Sequence, residues 1–172
     1  MINISDKQKC CGCNACGDVC PKDAITFKTD IEGFWYPEVN KDTCIDCGLC
    51  EKVCPIIEPA NFIARYEVPR VFAAYTKDDK IRTDSTSGGI HSMLAMEMYE
   101  NNAYVGGAVY NEDHTVSQIV DSKPSRLSEI RSSKYLQSNA EGVYKEIKGL
   151  LKEGNQVFFC GCPCQVQALY KV

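Results

Sequence analysis

Four cysteines and a proline, Cys10, Cys13, Cys16, Cys20 and Pro21, recur as Cys44, Cys47, Cys50, Cys54 and Pro55. Both runs read C-x2-C-x2-C-x3-C-P, and every member of the second lies 34 positions after its counterpart. A period of that length also suits helical repeats, but the shared positions here are cysteines and prolines rather than a packing face. The chain carries 12 cysteines in 172 residues. The opening MINISDKQKCC lacks the basic-then-apolar order of a secretory leader, so the expected compartment is the cytoplasm. Reduced thiols then point to metal ligation or redox chemistry rather than to a disulfide framework.

The spacing has a chemical reason. A 4Fe–4S cubane needs four thiolates, and two-residue gaps wrap three sulfurs around three of its corners. The fourth cysteine is expected to start a short helical turn that points away and to ligate the other cluster. Cys10, Cys13, Cys16 and Cys54 are therefore assigned to one cubane, and Cys44, Cys47, Cys50 and Cys20 to the other. A zinc ribbon or a disulfide scaffold would need only paired C-x2-C and leaves the third and fourth cysteines unexplained. Between the runs, AITFKT and FWYPEVN flank DIEG as a β-hairpin. Phe27, Phe34, Trp35 and Tyr36 on it are expected to shield cluster or fill a small core. Cys11 has no counterpart in the second run and reads as a free, buried filler.

Nine of the 12 cysteines fall before residue 55, and charge breaks at the same place. Residues 1–60 hold 6 Lys/Arg against 10 Asp/Glu, whereas residues 61–172 hold 13 of each. Net charge is −4 and the pI about 5.2, which argues against a nucleic-acid binder. Mean hydropathy is −0.26 and no long apolar run exists, so no membrane-spanning helix is expected. The expected organisation is a two-cluster domain over 1–58, a linker over 59–69 bracketed by Pro59 and Pro69, and a second domain over 70–172.

The second domain alternates strand and helix signals. VFAAYT, AYVGGAVYN, TVSQIVDS and QVFFCG read as strands, the last as a buried strand of a parallel sheet. SGGIHSMLAMEMYENN and AEGVYKEIKGLLKEG read as amphipathic helices, LSEIRSSKYLQS as mixed helix and loop, and PCQVQALYKV as a helix with Pro163 in its first turn. The predicted fold class is an α+β ferredoxin-like domain followed by an α/β domain, incomplete at its end. Two strand-to-helix turns stand out, Ser85-Thr86-Ser87-Gly88-Gly89 and Gly161-Cys162-Pro163-Cys164-Gln165. Backbone N–H groups at such starts receive anions, and ligands of open sheets bind where strands end. Arg126, Arg131 and Lys134 lie between them. His91 and His114 read as packing or surface residues.

Residues 1–58 resemble a bacterial two-cluster ferredoxin. With TSGGI at 86–90, SKYLQS at 133–138 and GCPCQVQAL at 161–169, the whole chain resembles the family of coenzyme F420 hydrogenase/dehydrogenase beta subunits. That resemblance implies an iron–sulfur flavoprotein oxidoreductase, or its electron-input component, passing electrons between two 4Fe–4S clusters and FAD, with coenzyme F420 as a possible acceptor in an anaerobic setting. It implies that Ser87, Gly88 and Gly89 approach the flavin phosphate or ribityl groups. Lys134, Tyr135 and Gln137 would line the flavin pocket, and Pro163, Cys164 and Gln165 would sit at its reactive end, Cys164 as the catalytic thiol. A non-enzymatic electron carrier with a docking domain is the alternative. The family shows Gly-Thr-Pro-Cys where this chain has Gly161-Cys162-Pro163-Cys164, which leaves Cys160 and Cys162 as additions. Burial of Cys160 is the simpler expectation beside a third metal centre, and Cys164 is expected to be acidified by its helix start. The family extends further, so the chain reads as an N-terminal fragment expected to bind iron well, to bind FAD weakly or not at all, and to self-associate. The acidic first domain predicts a redox partner with a basic docking face.

Overall fold

The computed structural model describes residues 1–4, 6–59 and 68–172. Most of the expected linker lies outside the described residues. The cysteine runs build α1 (Ala15–Asp18) and α2 (Leu49–Val53), with the hairpin β1 (Ile25–Thr29) and β2 (Trp35–Val39) between them. The hairpin pairs Ile25 with Val39 and Thr29 with Trp35. Its turn closes because the Asp30 carboxylate accepts the N–H groups of Glu32 and Phe34.

The repeat extends to the backbone. Gly12 and its counterpart Asp46 are left-handed, as are Asn14 and its counterpart Gly48. Those turns reverse the chain between successive cysteines. The helices, however, hold the third cysteine of each run, Cys16 or Cys50, and end before the fourth. Cys20 and Cys54 thus follow a helical turn rather than start one.

In the second half, α3 (Asp79–Thr83) and α4 (Ile90–Glu100) precede the antiparallel pair β3 (Tyr104–Tyr110) and β4 (Val116–Asp121). Then come α5 (Leu127–Ile130), β5 (Ser138–Asn139), α6 (Val143–Lys152), β6 (Val157–Phe159) and α7 (Pro163–Leu169). The sheet order is β5-β4-β3-β6, with β5 and β6 parallel to their neighbours. Strand alternation sends side chains to opposite faces. Val105, Val109 and Phe158 pack with Ala95 and Tyr99 of α4 and Ile130 of α5. Val120, Val157 and Phe159 pack with Val143 and Ile147 of α6. The result is a mixed sheet between helical layers.

Two strand expectations change. VFAAYT forms no strand, and Val71 and Phe72 are 89% and 75% exposed. Its end instead packs on the glycine turn, where Thr76 N–H donates to the Gly88 carbonyl over 2.8 Å. QVFFCG is a strand at the sheet's edge with half-buried residues, not a central one. Among the described residues no helix is long and apolar enough to cross a membrane.

The two halves share one core. Ile2, Ala15, Cys16, Ile25 and Val53 of the first pack with Ala140, Tyr144 and Ala168 of the second.

Candidate functional site

Each assigned cysteine set surrounds its own cavity. Cys10, Cys13, Cys16 and Cys54 line one, with Ile2, Ile4, Phe27 and Pro37 between them. Cys20, Cys44, Cys47 and Cys50 line the other, with Ile25, Val39 and Leu49. Each cavity thus draws three cysteines from one run and the fourth from the other. Apolar walls and four thiols suit a cubane. Among the described residues no three Cys, His, Asp or Glu side chains gather about a single metal ion. That includes Cys160, Cys162 and Cys164, of which Cys160 and Cys162 are exposed rather than buried. Of the four aromatics, Phe27 alone lines a cysteine cavity, and Phe34 is 50% exposed. Tyr36 lies under the Lys7 ammonium, 4.7 Å from its ring centre.

Burial controls the thiols. Loss of solvation, reinforced by the neighbouring thiols of Cys10, Cys54 and Cys50, pushes Cys16 up to about 12. Burial also raises Cys10 and Cys50. These groups are protonated at neutral pH, and iron bound by them would have to displace the protons.

The first cavity faces the second domain. Its neighbour Asn14, 1% exposed, accepts the Ala140 N–H over 3.0 Å. The buried Asp18 carboxylate accepts three N–H groups at the start of α6, from Gly142 (2.8 Å), Tyr144 (3.0 Å) and Lys145 (3.3 Å). This side chain satisfies orphan donors that the helix's own N-cap, Gly142, cannot. Tyr144 then donates its hydroxyl to the Cys13 carbonyl at 2.7 Å. Asn14 and Asp18 did not stand out in the sequence and Tyr144 did so only on the apolar face of its helix, because each acts on a partner more than 120 positions away.

Gln137 belongs to the same junction. Its Oε1 accepts the Trp35 N–H over 3.3 Å, and its amide nitrogen packs on Gly12, leaving no room for a side chain there. Gln165 is buried in a polar network. Its Oε1 accepts from Cys162 N–H at 2.9 Å and from the Gln118 amide at 3.2 Å, and its Nε2 donates to Ser138 at 3.0 Å. The Gln118 carbonyl oxygen in that network has no partner.

Cys164 lies against Cys11. The neighbouring Cys11 thiol, with burial, raises Cys164. The expected acidification is therefore reversed. α7 is only seven residues long, and a neutral thiol partner outweighs its dipole. Cys11 is likewise no buried filler: it is exposed, and hydrogen bonding to Cys13 pushes it up to about 12, with Cys164 acting the other way.

A separate cleft of about 300 Å³ opens at the start of α4. Ser87, Gly88 and Gly89 line it, with His91, Arg131 and Ser132. Gly89 caps the helix in a left-handed conformation and no side chain caps it, which leaves the N–H groups of the first turn without a side-chain acceptor from the cap. A side chain on Gly88 would strike the Ala74 carbonyl. Arg131 is held by Asp84 at 3.3 Å. His91 stacks near Phe158, ring centres 5.6 Å apart, and its buried Nδ1 has no partner. Burial and the Lys134 charge keep it neutral. The sequence offered only an isolated histidine, so its place in the cleft was not visible there.

The structure does not bring Lys134, Tyr135 and Gln137 together in this cleft. The Lys134 ammonium folds back on the α5 carbonyls of Glu129, Ile130 (3.1 Å) and Arg131 (2.9 Å) and on Ser132 (3.1 Å). Tyr135 is 92% exposed. Pro163 occupies the first turn of α7, as expected.

Residues 9–56 match the 4Fe-4S dicluster domain family. Over 98% of its length the chain is 22% identical to an F(420)H(2) dehydrogenase component of Methanosarcina mazei, covering 49% of that protein. Over its whole length it is 26% identical to the coenzyme F420-dependent sulfite reductase of Methanocaldococcus jannaschii, covering 26% of it. The ferredoxin-type protein NapF of Haemophilus influenzae is 46% identical over 26% of the chain and 25% of its own length. The chain thus spans about half of the first relative and about a quarter of the second. These matches support the resemblance drawn from TSGGI, SKYLQS and GCPCQVQAL. They also support an iron–sulfur electron-transfer function for the cysteine-rich half.

Proposed function

We propose that this chain is the electron-input part of an iron–sulfur flavoprotein oxidoreductase, with two cubanes in the two cysteine cages and FAD at the α4 cleft. The observation that carries the reading is the asymmetric placement of the cages. The first lies against the second domain through Asp18, Asn14, Tyr144 and Cys11. The second is lined by Met1, Asp46 and Leu49, all of the cysteine-rich half. Electrons from a partner arrive at the outer cage and pass inward. The clusters supply one-electron transfer, and a flavin supplies the exchange between single electrons and hydride.

The chain's own residues fit these groups. Four thiols and apolar walls suit each cubane. At the cleft, the free N–H groups of the first α4 turn, the Ser87 hydroxyl and Arg131 suit the pyrophosphate of a dinucleotide, while His91 offers one unpaired nitrogen. Coenzyme F420, named in both long relatives, is the proposed acceptor class. Asp46 at the rim of the outer cage and Glu51 near it mark the docking side for a basic partner face.

Anaerobic reconstitution followed by FAD titration tests this. We expect about eight irons per chain and weak, saturable quenching of flavin fluorescence that ADP competes and Arg131→Ala abolishes. Clusters with no response to FAD would favour the carrier reading. Electron uptake from the partner should weaken as ionic strength rises; salt-independent uptake would exclude a charged docking face.

A further inference from the structure

The first cavity contains one polar group with nothing to bond. Its walls are the thiols of Cys10, Cys11, Cys13, Cys16 and Cys54 and a set of apolar side chains. Among the described residues that line it, Asn14 is the one whose side chain carries N–H groups. Asn14 is 1% exposed. Its Oδ1 accepts the Ala140 N–H at 3.0 Å, which fixes the oxygen end of the amide and the nitrogen end with it. The Nδ2 has no hydrogen-bond partner among the described residues. A buried donor left unpaired destabilises a fold and calls for an explanation. The backbone sharpens the question. Asn14 is left-handed, with φ at 64°, a conformation that glycine adopts without strain. Its counterpart in the second run is a glycine, Gly48, with φ at 73°.

We propose that the Asn14 amide donates a hydrogen bond to the sulfurs of the cubane in the first cage and raises that cluster's reduction potential. The proposal rests on the reading that Cys10, Cys13, Cys16 and Cys54 hold a cubane. Sulfur is the acceptor this cavity offers, and thiolates and sulfides accept more strongly than neutral thiols. One-electron reduction adds negative charge to those sulfurs. A donor paired with them stabilises the reduced form more than the oxidised one, so the potential rises. One electron moves onto the cluster, and the amide proton stays on its nitrogen. The Ala140 N–H has a part in this. It claims the amide oxygen, which would repel anionic sulfur, and leaves the nitrogen for the cluster. The second half of the chain thereby sets which end of the amide the first cage receives. Gly48 supplies no such donor to the second cage, so two cages of identical ligand spacing differ at this one position.

The test uses the anaerobically loaded chain and its Asn14→Gly variant, which installs the second run's residue. Iron content is measured, and both cluster potentials are read by electron paramagnetic resonance during a redox titration. In Asn14→Gly one of the two clusters should become about tenfold harder to reduce, a fall of about 59 mV for a one-electron couple. The other should not move, and about eight irons should remain. Water entering the space left by the side chain would favour the more highly charged reduced form and raise the potential, so the sign separates a lost donor from lost packing. A second measurement needs no substitution. Asn14 is the one asparagine among the described residues lining either cavity. Asparagine isotopically labelled at its side-chain nitrogen should therefore give a hyperfine coupling in pulsed resonance spectra of the reduced, unsubstituted chain. Should Asn14→Gly fail to load, this coupling decides alone. An unchanged or raised potential in a loaded Asn14→Gly, an equal fall in both clusters, or the absence of the coupling would overturn the proposal. Low iron in the unsubstituted chain would overturn the cubane reading and this proposal with it, whereas about eight irons without the coupling would overturn this proposal alone.

Discussion

The two cysteine cages are near copies in sequence and unequal in surroundings. Both use the same spacing, the same pair of left-handed turns and a short helix around the third cysteine. Yet the loop of the first cage is held by the second half of the chain through a buried carboxylate, a buried amide and a tyrosine hydroxyl. The second is bordered by the chain's amino group, which sits 2.6 Å from Asp46. Ligand spacing thus sets what a cage binds, while tertiary packing sets which way it faces. Reduction potentials respond to hydrogen bonds and solvent exposure around the sulfurs, so the two clusters should differ in potential despite their matched ligands.

Exchanging the fourth ligands tests the comparison with the largest effect. Cys20→Ser should lose the cluster of Cys44, Cys47 and Cys50, and Cys54→Ser that of Cys10, Cys13 and Cys16. Each should cost about four of about eight irons, read by iron analysis and electron paramagnetic resonance. Loss of the cluster within the substituted run would break the cross-membership of the cages.

Asp18→Ala comes next. It strands three N–H groups at a partly buried helix start and should cost about 2–3 kcal/mol in chemical denaturation. Its signature should be selective, disturbing the first cluster more than the second. Tyr144→Phe removes one hydrogen bond to the Cys13 carbonyl and should cost about 1 kcal/mol. It should shift the first cluster's potential alone; equal shifts in both would erase the distinction between inner and outer cage.

Thiol protonation sharpens the comparison by pH. Cys10 and Cys16 of the first cage are raised, Cys16 to about 12, and Cys50 is raised in the second. Cluster assembly expels these protons, so reconstitution should quicken between about pH 7 and about pH 9, more steeply for the first cage. Without iron the sign reverses. The unfolded Cys16 thiol ionises near 9.0 and the buried one near about 12, so the folded chain binds more protons in that window. Its melting temperature should fall as pH rises through it. The smallest effect belongs to Lys145 and Asp23, an exposed pair 2.8 Å apart across the two halves. Asp23→Asn should change stability by no more than about 1 kcal/mol and leave both clusters intact.

The cages were legible because ligand geometry is local: three sulfurs in seven residues admit few arrangements. The α4 start was legible for a similar reason, since Ser87, Gly88 and Gly89 carry helix-start chemistry on their face. Lys134 and Tyr135 were not, because a lysine reaches many acceptors and this one found four carbonyls close at hand. VFAAYT has strand composition, but the turn at Gly88 offers its end a hydrogen-bond partner and no sheet edge receives it. Asp18 lies inside a cysteine run where any short polar residue looks like filler. Its role depends on the start of α6, which nothing nearby in sequence announces.

The Asp18 contact also orders events during synthesis. Its partners lie 124 to 127 positions downstream. The first cage is complete once Cys54 emerges, 88 to 91 positions before those partners, so at roughly 5–20 residues per second it leaves the ribosome about 4–18 s before the helix that covers it. For that interval its thiols face water, and iron–sulfur delivery has an open approach. Once α6 docks, the same loop is held by the Tyr144 hydroxyl and the Ala140 N–H. Cluster insertion at the inner cage is therefore easiest while the chain is still growing, and the outer cage keeps its access afterwards.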